Sequence, residues 1–108
     1  MLDKKNFYIN GQWIKPNSSD EINVIDPATE DNCAVITLGN KADVDMAVNA
    51  AKNAYESWAF SSKDERIGLL EKLYENYKKR WPDIAEAITL EMGAPKDFAS
   101  KLQTGTGA

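Results

Sequence analysis

Phe7-Tyr8-Ile9-Asn10-Gly11-Gln12-Trp13-Ile14 decides how this chain begins to fold. Asn-Gly takes positive φ at both central turn positions, as a type I′ hairpin requires. The residues on either side are aromatic or β-branched, which suits paired strands. The spacing therefore predicts a hairpin over 7–14, followed by a polar loop at Lys15-Pro16-Asn17-Ser18-Ser19-Asp20. Ile22-Asn23-Val24-Ile25 reads as a short strand. Asp26-Pro27-Ala28-Thr29 reads as a turn, because proline presets φ and aspartate can accept from a nearby amide. Cys33-Ala34-Val35-Ile36-Thr37-Leu38 is a further strand, closed by Gly39.

From residue 41 the period changes from two to helical. Asn40 suits an N-cap, and the charge of Asp43 three positions on suits a helix start. Val44, Ala47, Val48, Ala51, Ala54, Tyr55 and Trp58 fall on one face, whose alanines allow close packing. Ser62-Lys63-Asp64-Glu65 is a capping-box pattern opening a second helix. Its stripe is Ile67, Leu70, Tyr74, Tyr77 and Trp81, widened by Leu69 and Leu73. Pro82 must end or kink that helix and start the next segment. A third helix is expected over Asp83–Met92, stopped by Gly93 with Pro95 just beyond. A last helix from about Pro95 carries Phe98 and Leu102 and fades into Thr104-Gly105-Thr106-Gly107, where glycine weakens a helix. The aromatic residues Trp58, Trp81, Tyr55, Tyr74 and Tyr77 read as core, since such stripes seldom form ligand platforms. The fold class is α/β: strands within 7–38, then three to four helices within 41–108.

The totals restrict function more than they define it. A chain of 108 residues holds at most one small domain. Its net charge of −4 is scattered, with no basic stripe, which argues against nucleic acid and an anionic membrane surface as partners. No run approaches the ~20 apolar residues of a membrane span, and the start lacks the apolar run of a signal peptide. The single cysteine, Cys33, cannot form an internal disulfide and fits a cytoplasmic setting. With no histidine, Ser-His and Cys-His nucleophile pairs and histidine metal sites are excluded within this chain.

The order of these features resembles the N-terminal part of the NAD(P)-dependent aldehyde dehydrogenases. Tyr8-Ile9-Asn10-Gly11-Gln12-Trp13 is similar to that family's F-I-N-G-x-W hairpin. Ile25-Asp26-Pro27-Ala28-Thr29-Glu30 is similar to its x-N-P-A-T-G-E turn, with aspartate in the asparagine position and no glycine before Glu30. Ala42-Asp43-Val44-Asp45-Met46-Ala47-Val48 resembles its x-D-V-D-x-A-V helix start. Glu65-Arg66, the Leu69 to Leu73 helix and Thr89-Leu90-Glu91-Met92-Gly93-Ala94-Pro95 resemble R…L…L…E-x-G-K-P, with alanine in place of the common lysine. The matches run from about Tyr8 to Pro95. The Glu91 to Pro95 variant looks more like bacterial members than animal ones.

The resemblance implies a full-length relative that oxidises an aldehyde to a carboxylic acid with NAD or NADP. A cysteine nucleophile, an activating glutamate, an oxyanion-holding asparagine and the glycine turn for the nucleotide would all lie downstream of the matched region. It implies no catalytic and no cofactor-binding residue here, and no cofactor is expected to bind this chain alone. Residues 1–108 would be an incomplete N-terminal segment of the cofactor-binding domain. The resemblance also places Gln103 and Thr106 near the mouth of the aldehyde tunnel. For some members it implies a structural monovalent cation, held here by the backbone carbonyls of Val24 and Ile25 and the carboxylate of Glu91. Oxygen donors suit such a hard ion; the alternative for Glu91 is a solvent-exposed helix-terminal glutamate.

Two tempting motifs carry no chemistry. Cys33 sits in an apolar strand without a basic neighbour in sequence, so it reads as a small half-buried residue rather than a nucleophile. Gly105-Thr106-Gly107 follows a helix rather than a strand and is an incomplete phosphate loop. The leading expectation is thus a catalytically inactive front piece of a dehydrogenase. The alternatives are a non-catalytic interaction module that associates with a full-length subunit, or an unrelated small α+β binding protein. A homo-oligomer is a further possible partner state.

Overall fold

The computed structural model describes residues 1–108. Five strands precede the helices: β1 Leu2–Lys4, β2 Phe7–Ile9, β3 Gln12–Ile14, β4 Glu21–Ile25 and β5 Asn32–Thr37. The helices are α1 Lys41–Trp58, α2 Lys63–Lys79, α3 Trp81–Met92 and the short α4 Lys96–Phe98. A π-helical turn over Ala99–Gln103 and a 3-10 turn over Thr104–Gly107 continue α4. The chain divides into two compact units, Met1–Val24 with Asn32–Ser61 and Ile25–Asp31 with Ser62–Ala108.

In the first unit, β2 and β3 pair antiparallel, with Phe7 opposite Ile14 and Ile9 opposite Gln12. Asn10 and Gly11 at the tip have φ of 53° and 75°, the expected I′ turn. Tyr8 and Trp13 face each other across the ladder with ring centroids 5.2 Å apart. The other sheet has the order β1-β5-β4. Its edge strand β1 lies outside the expected 7–38 range. It pairs parallel with β5, Leu2 against Ala34 and Lys4 against Ile36. Flanked on both edges, β5 buries Ala34, Val35 and Thr37, whereas Leu38 lies past the strand and is exposed.

Helix α1 starts at a complete capping box. The Asn40 side chain accepts from the amides of Ala42 and Asp43, and Asp43 accepts from the Asn40 amide. The Asp43 carboxylate also accepts from Asn17 at 2.6 Å and Ser18 at 3.2 Å. It thereby ties the polar loop before β4 to the start of α1. These donors, Asn40 first, then Asn17 and Ser18, hold the Asp43 carboxyl below its usual range against the opposing effect of burial. The side chain is only 3% exposed and is satisfied by backbone alone. The cap was legible in the sequence; this second attachment was not.

In the second unit, Ser62 and Glu65 form the expected reciprocal box at the start of α2. The Glu65 carboxyl is lowered, first by the Ser62 amide and then by its hydroxyl. Pro82 sits in the first turn of α3, where its missing N–H costs nothing. Helix α3 thus begins at Trp81, two residues earlier than expected, and Trp81 opens α3 rather than closing the stripe of α2. Gly93 ends α3 in the left-handed conformation with φ 68°, its N–H bonded to the Thr89 carbonyl. The segment after Pro95 is not the plain helix expected.

The apolar stripes differ most from expectation. Val44, Val48, Tyr55 and Trp58 on α1 remain exposed, and so do Ile67, Leu70, Leu73 and Tyr74 on α2. The buried apolar residues are Ala34, Val35, Ala85 and Ala99. The helices form where the period placed them, but their stripes are not buried, so Tyr55, Trp58 and Tyr74 are surface and not core.

Candidate functional site

The terminal segment of the second unit carries the residues of most functional interest. Its path is set by two aromatic side chains one helical turn apart. The Tyr77 hydroxyl, on α2, donates to the Thr104 carbonyl at 2.8 Å. The Trp81 indole N–H, on α3, donates to the Ser100 carbonyl at 2.8 Å. The two rings meet edge to face with centroids 5.8 Å apart, an arrangement favoured by the ring quadrupoles. Between the two anchored carbonyls the helix widens by one residue. The Thr104 amide and hydroxyl both reach back to the Ala99 carbonyl. Ala99 and Thr104 are fully buried.

Gln103 lies at the end of this widened turn and is partly buried. Its Oε1 is enclosed and has no hydrogen-bond partner. Thr106 is exposed, and its hydroxyl donates to the Gln103 carbonyl at 2.7 Å. The structure therefore brings together Gln103 and Thr106, the two positions named for the tunnel mouth. In the same unit, Pro82, Ala85, Glu86, Thr89, Lys96 and Ser100 line a cleft of about 290 Å³. The Thr89 hydroxyl is also buried without a partner. Sequence reasoning missed Tyr77 and Trp81, because they read as members of a core stripe.

The three candidate cation donors do not fall in one unit. Val24 belongs to the first, and Ile25 and Glu91 belong to the second. The Val24 carbonyl accepts the thiol of Cys33 at 3.3 Å, while Glu91 is exposed on the last turn of α3. Cys33 is half-buried, as expected, and its S–H is engaged with that carbonyl. No group of three or more His, Cys, Asp or Glu side chains is arranged to hold a metal. No helix is long and apolar enough to cross a membrane.

The stretches that carry the resemblance meet at one point of the second unit. A Cβ on Gly93, from the E-x-G turn, would lie 2.9 Å from Cγ of Pro27, from the N-P-A-T turn. Within the latter, Glu30 has φ 62°. It occupies the left-handed position itself, its amide bonded to the Asp26 carbonyl at 2.8 Å.

The model of the aldehyde dehydrogenase family matches residues 13–107. The chain belongs to this family. It is 46% identical over 108 residues to a 3-succinoylsemialdehyde-pyridine dehydrogenase of a Pseudomonas species, covering 99% of this chain and 23% of that protein. Among solved structures it is similar to an aldehyde dehydrogenase of Bartonella henselae, with TM-score 0.97 and 51% identity, covering 99% of this chain and 22% of that one. It is also similar to an aldehyde dehydrogenase C mutant of Pseudomonas syringae solved with NAD+ and octanal, with TM-score 0.91 and 39% identity over 94% of this chain and 21% of that one. The chain spans less than a quarter of the length of the relatives it matches, and it matches their N-terminal part.

Proposed function

We propose that this chain is the N-terminal part of the cofactor-binding domain of an NAD(P)-dependent dehydrogenase that oxidises an aldehyde to a carboxylic acid. The observation that carries this reading is the family match over residues 13–107 of a chain that spans so small a share of its relatives. The uncovered stripes on α1 and α2 support it. Contiguous apolar faces on a soluble protein mark surfaces that another element covers, and the remaining three-quarters of a dehydrogenase would supply that cover.

In this reading the chain frames the site rather than performing the chemistry. Cys33 is a half-buried strand residue whose thiol donates to the Val24 carbonyl. Nucleophile, base and nucleotide turn come from the rest of the protein. Gln103 and Thr106 stand at the aldehyde entrance. The protein is cytoplasmic and assembles as a homo-oligomer.

The test is aldehyde-dependent reduction of NAD+ or NADP+ by the protein read from the longer reading frame, in parallel with the 108-residue chain. The longer protein is expected to turn over and the chain alone to be inactive. Cys33→Ser in the longer protein should keep its rate. No turnover across a panel of aliphatic and aromatic aldehydes, or loss of turnover with Cys33→Ser, would overturn the reading. A reading frame that stops after Ala108, with the chain co-purifying on a separate dehydrogenase subunit, would replace it with the interaction-module alternative.

A further inference from the structure

We infer that Tyr77 and Trp81 are positioning residues for aldehyde selection, acting through the backbone of residues 99–107. The inference rests on the proposed placement of Gln103 and Thr106 at the aldehyde entrance.

Gln103 has no hydrogen bond of its own to fix it, since its enclosed Oε1 is unpartnered. Its placement is therefore inherited from the backbone that carries it. That backbone is a widened turn, a geometry that a plain helical sequence does not hold by itself, since such turns are rare and occur mostly as single insertions. Two side-chain donors bracket it: the Trp81 indole on Ser100, three residues before Gln103, and the Tyr77 hydroxyl on Thr104, one residue after. The glycines that follow let the chain lie against the same two rings. A Cβ on Gly105 would rest 3.8 Å from the Trp81 ring, an ordinary contact. A Cβ on Gly107 would collide with the Tyr77 hydroxyl. The aromatic pair is thus a cradle with two hydrogen bonds and a close approach. Thr106 is carried by it too, through the bond from its hydroxyl to the Gln103 carbonyl.

Removing the Tyr77 hydroxyl frees the Thr104 carbonyl and releases the exit of the widened turn. A net hydrogen bond corresponds to a roughly 2- to 10-fold change in an equilibrium constant. The expected effect of Tyr77→Phe in the longer dehydrogenase is a rise in KM of about that size for long or bulky aldehydes, which reach the entrance contacts. KM for acetaldehyde and kcat for all substrates should stay unchanged. Gly107→Ala presses on the same contact from the other side, its Cβ 3.0 Å from the ring carbon that bears the hydroxyl, and should move KM for the same aldehydes. In the 108-residue chain, amide hydrogen exchange at residues 103–107 should quicken in Tyr77→Phe and stay unchanged in α1.

Gln103→Ala is the reference. If it shifts KM for bulky aldehydes while Tyr77→Phe and Gly107→Ala leave them unchanged, the cradle does not position the entrance and the inference falls. If exchange at 103–107 is unaltered in Tyr77→Phe, the cradle does not hold the turn, and the inference falls on structural grounds. If Gln103→Ala itself changes no aldehyde, the entrance placement fails first and the positioning role fails with it.

Discussion

Replacing Gly93 by alanine tests the packing of the second unit at its tightest point. Gly93 has φ 68° and ψ 17°, a left-handed conformation that costs an L-residue with a side chain about 1–2 kcal/mol. A Cβ there would also lie 2.9 Å from Cγ of Pro27, and forcing extra carbon into a packed contact costs about 1–3 kcal/mol. The sum predicts a loss of about 2–5 kcal/mol. Urea titration followed by helical circular dichroism reads it: with a slope of about 2 kcal/mol/M, the midpoint should fall by about 1–2.5 M at unchanged slope. Two further variants separate the causes. Gly93→Asn, whose residue tolerates the left-handed region, should lose mainly the steric part. Pro27→Ala combined with Gly93→Ala should recover the steric part and leave the backbone part. A Gly93→Ala midpoint shift worth less than about 0.5 kcal/mol, the range of an ordinary surface change, would refute the close approach. Equal losses in the presence and absence of Pro27 would refute its steric origin.

Glu30→Gly should stabilise the chain by about 0.5–1 kcal/mol in the same titration, because it relieves the left-handed strain at φ 62° against the entropy glycine adds to the unfolded state. Asn40→Ala removes the acceptor for Ala42 and Asp43 and should cost about 1 kcal/mol. Asp43 and Glu65 have lowered folded-state pKa values, so their contribution is present above the unfolded carboxylate range and is lost as pH falls through the lower, folded values. The urea midpoint should therefore drop on acidification below the ordinary carboxylate range, and Asp43→Asn should flatten that dependence. Leu70→Ala, at an exposed position, should change the 108-residue chain by no more than about 0.5 kcal/mol; in the proposed longer dehydrogenase, whose remaining part would cover the stripe, it should cost about 2–5 kcal/mol.

The elements that were legible in the sequence are those with a local backbone requirement. Asn10-Gly11 demands a primed turn, Ser62 with Glu65 satisfies amides three residues apart, Pro82 cannot donate, and Gly93 ends a helix where only a left-handed residue fits. Each is decided within four residues, and each stands where expected except that α3 starts at Trp81, ahead of Pro82. Strand β1 has no such signal. Three residues of mixed polarity become a strand only because β5, about thirty residues later, offers an open edge. The widened turn at Ala99–Gln103 is of the same kind, since its anchors Tyr77 and Trp81 lie on α2 and at the start of α3.

Aromatic residues on a helical stripe can be buried, as the period suggests, or hold a neighbouring backbone through their polar ends, and period alone does not separate the two uses. On α2, Tyr74 and Tyr77 fall on the same expected stripe. Tyr74 is exposed beneath the ammonium of Lys78, while Tyr77 reaches a carbonyl twenty-seven positions on. What separates them is the partner segment, and that segment approaches closely only because position 107 carries no side chain. The glycines of Thr104-Gly105-Thr106-Gly107 therefore have a reading beyond helix fading and beyond a phosphate loop. They admit the backbone to an aromatic surface, and through that contact they settle where Gln103 and Thr106 stand. These two positions were named by resemblance, but the physical reason they stand where they do is distributed over α2, α3 and the glycines.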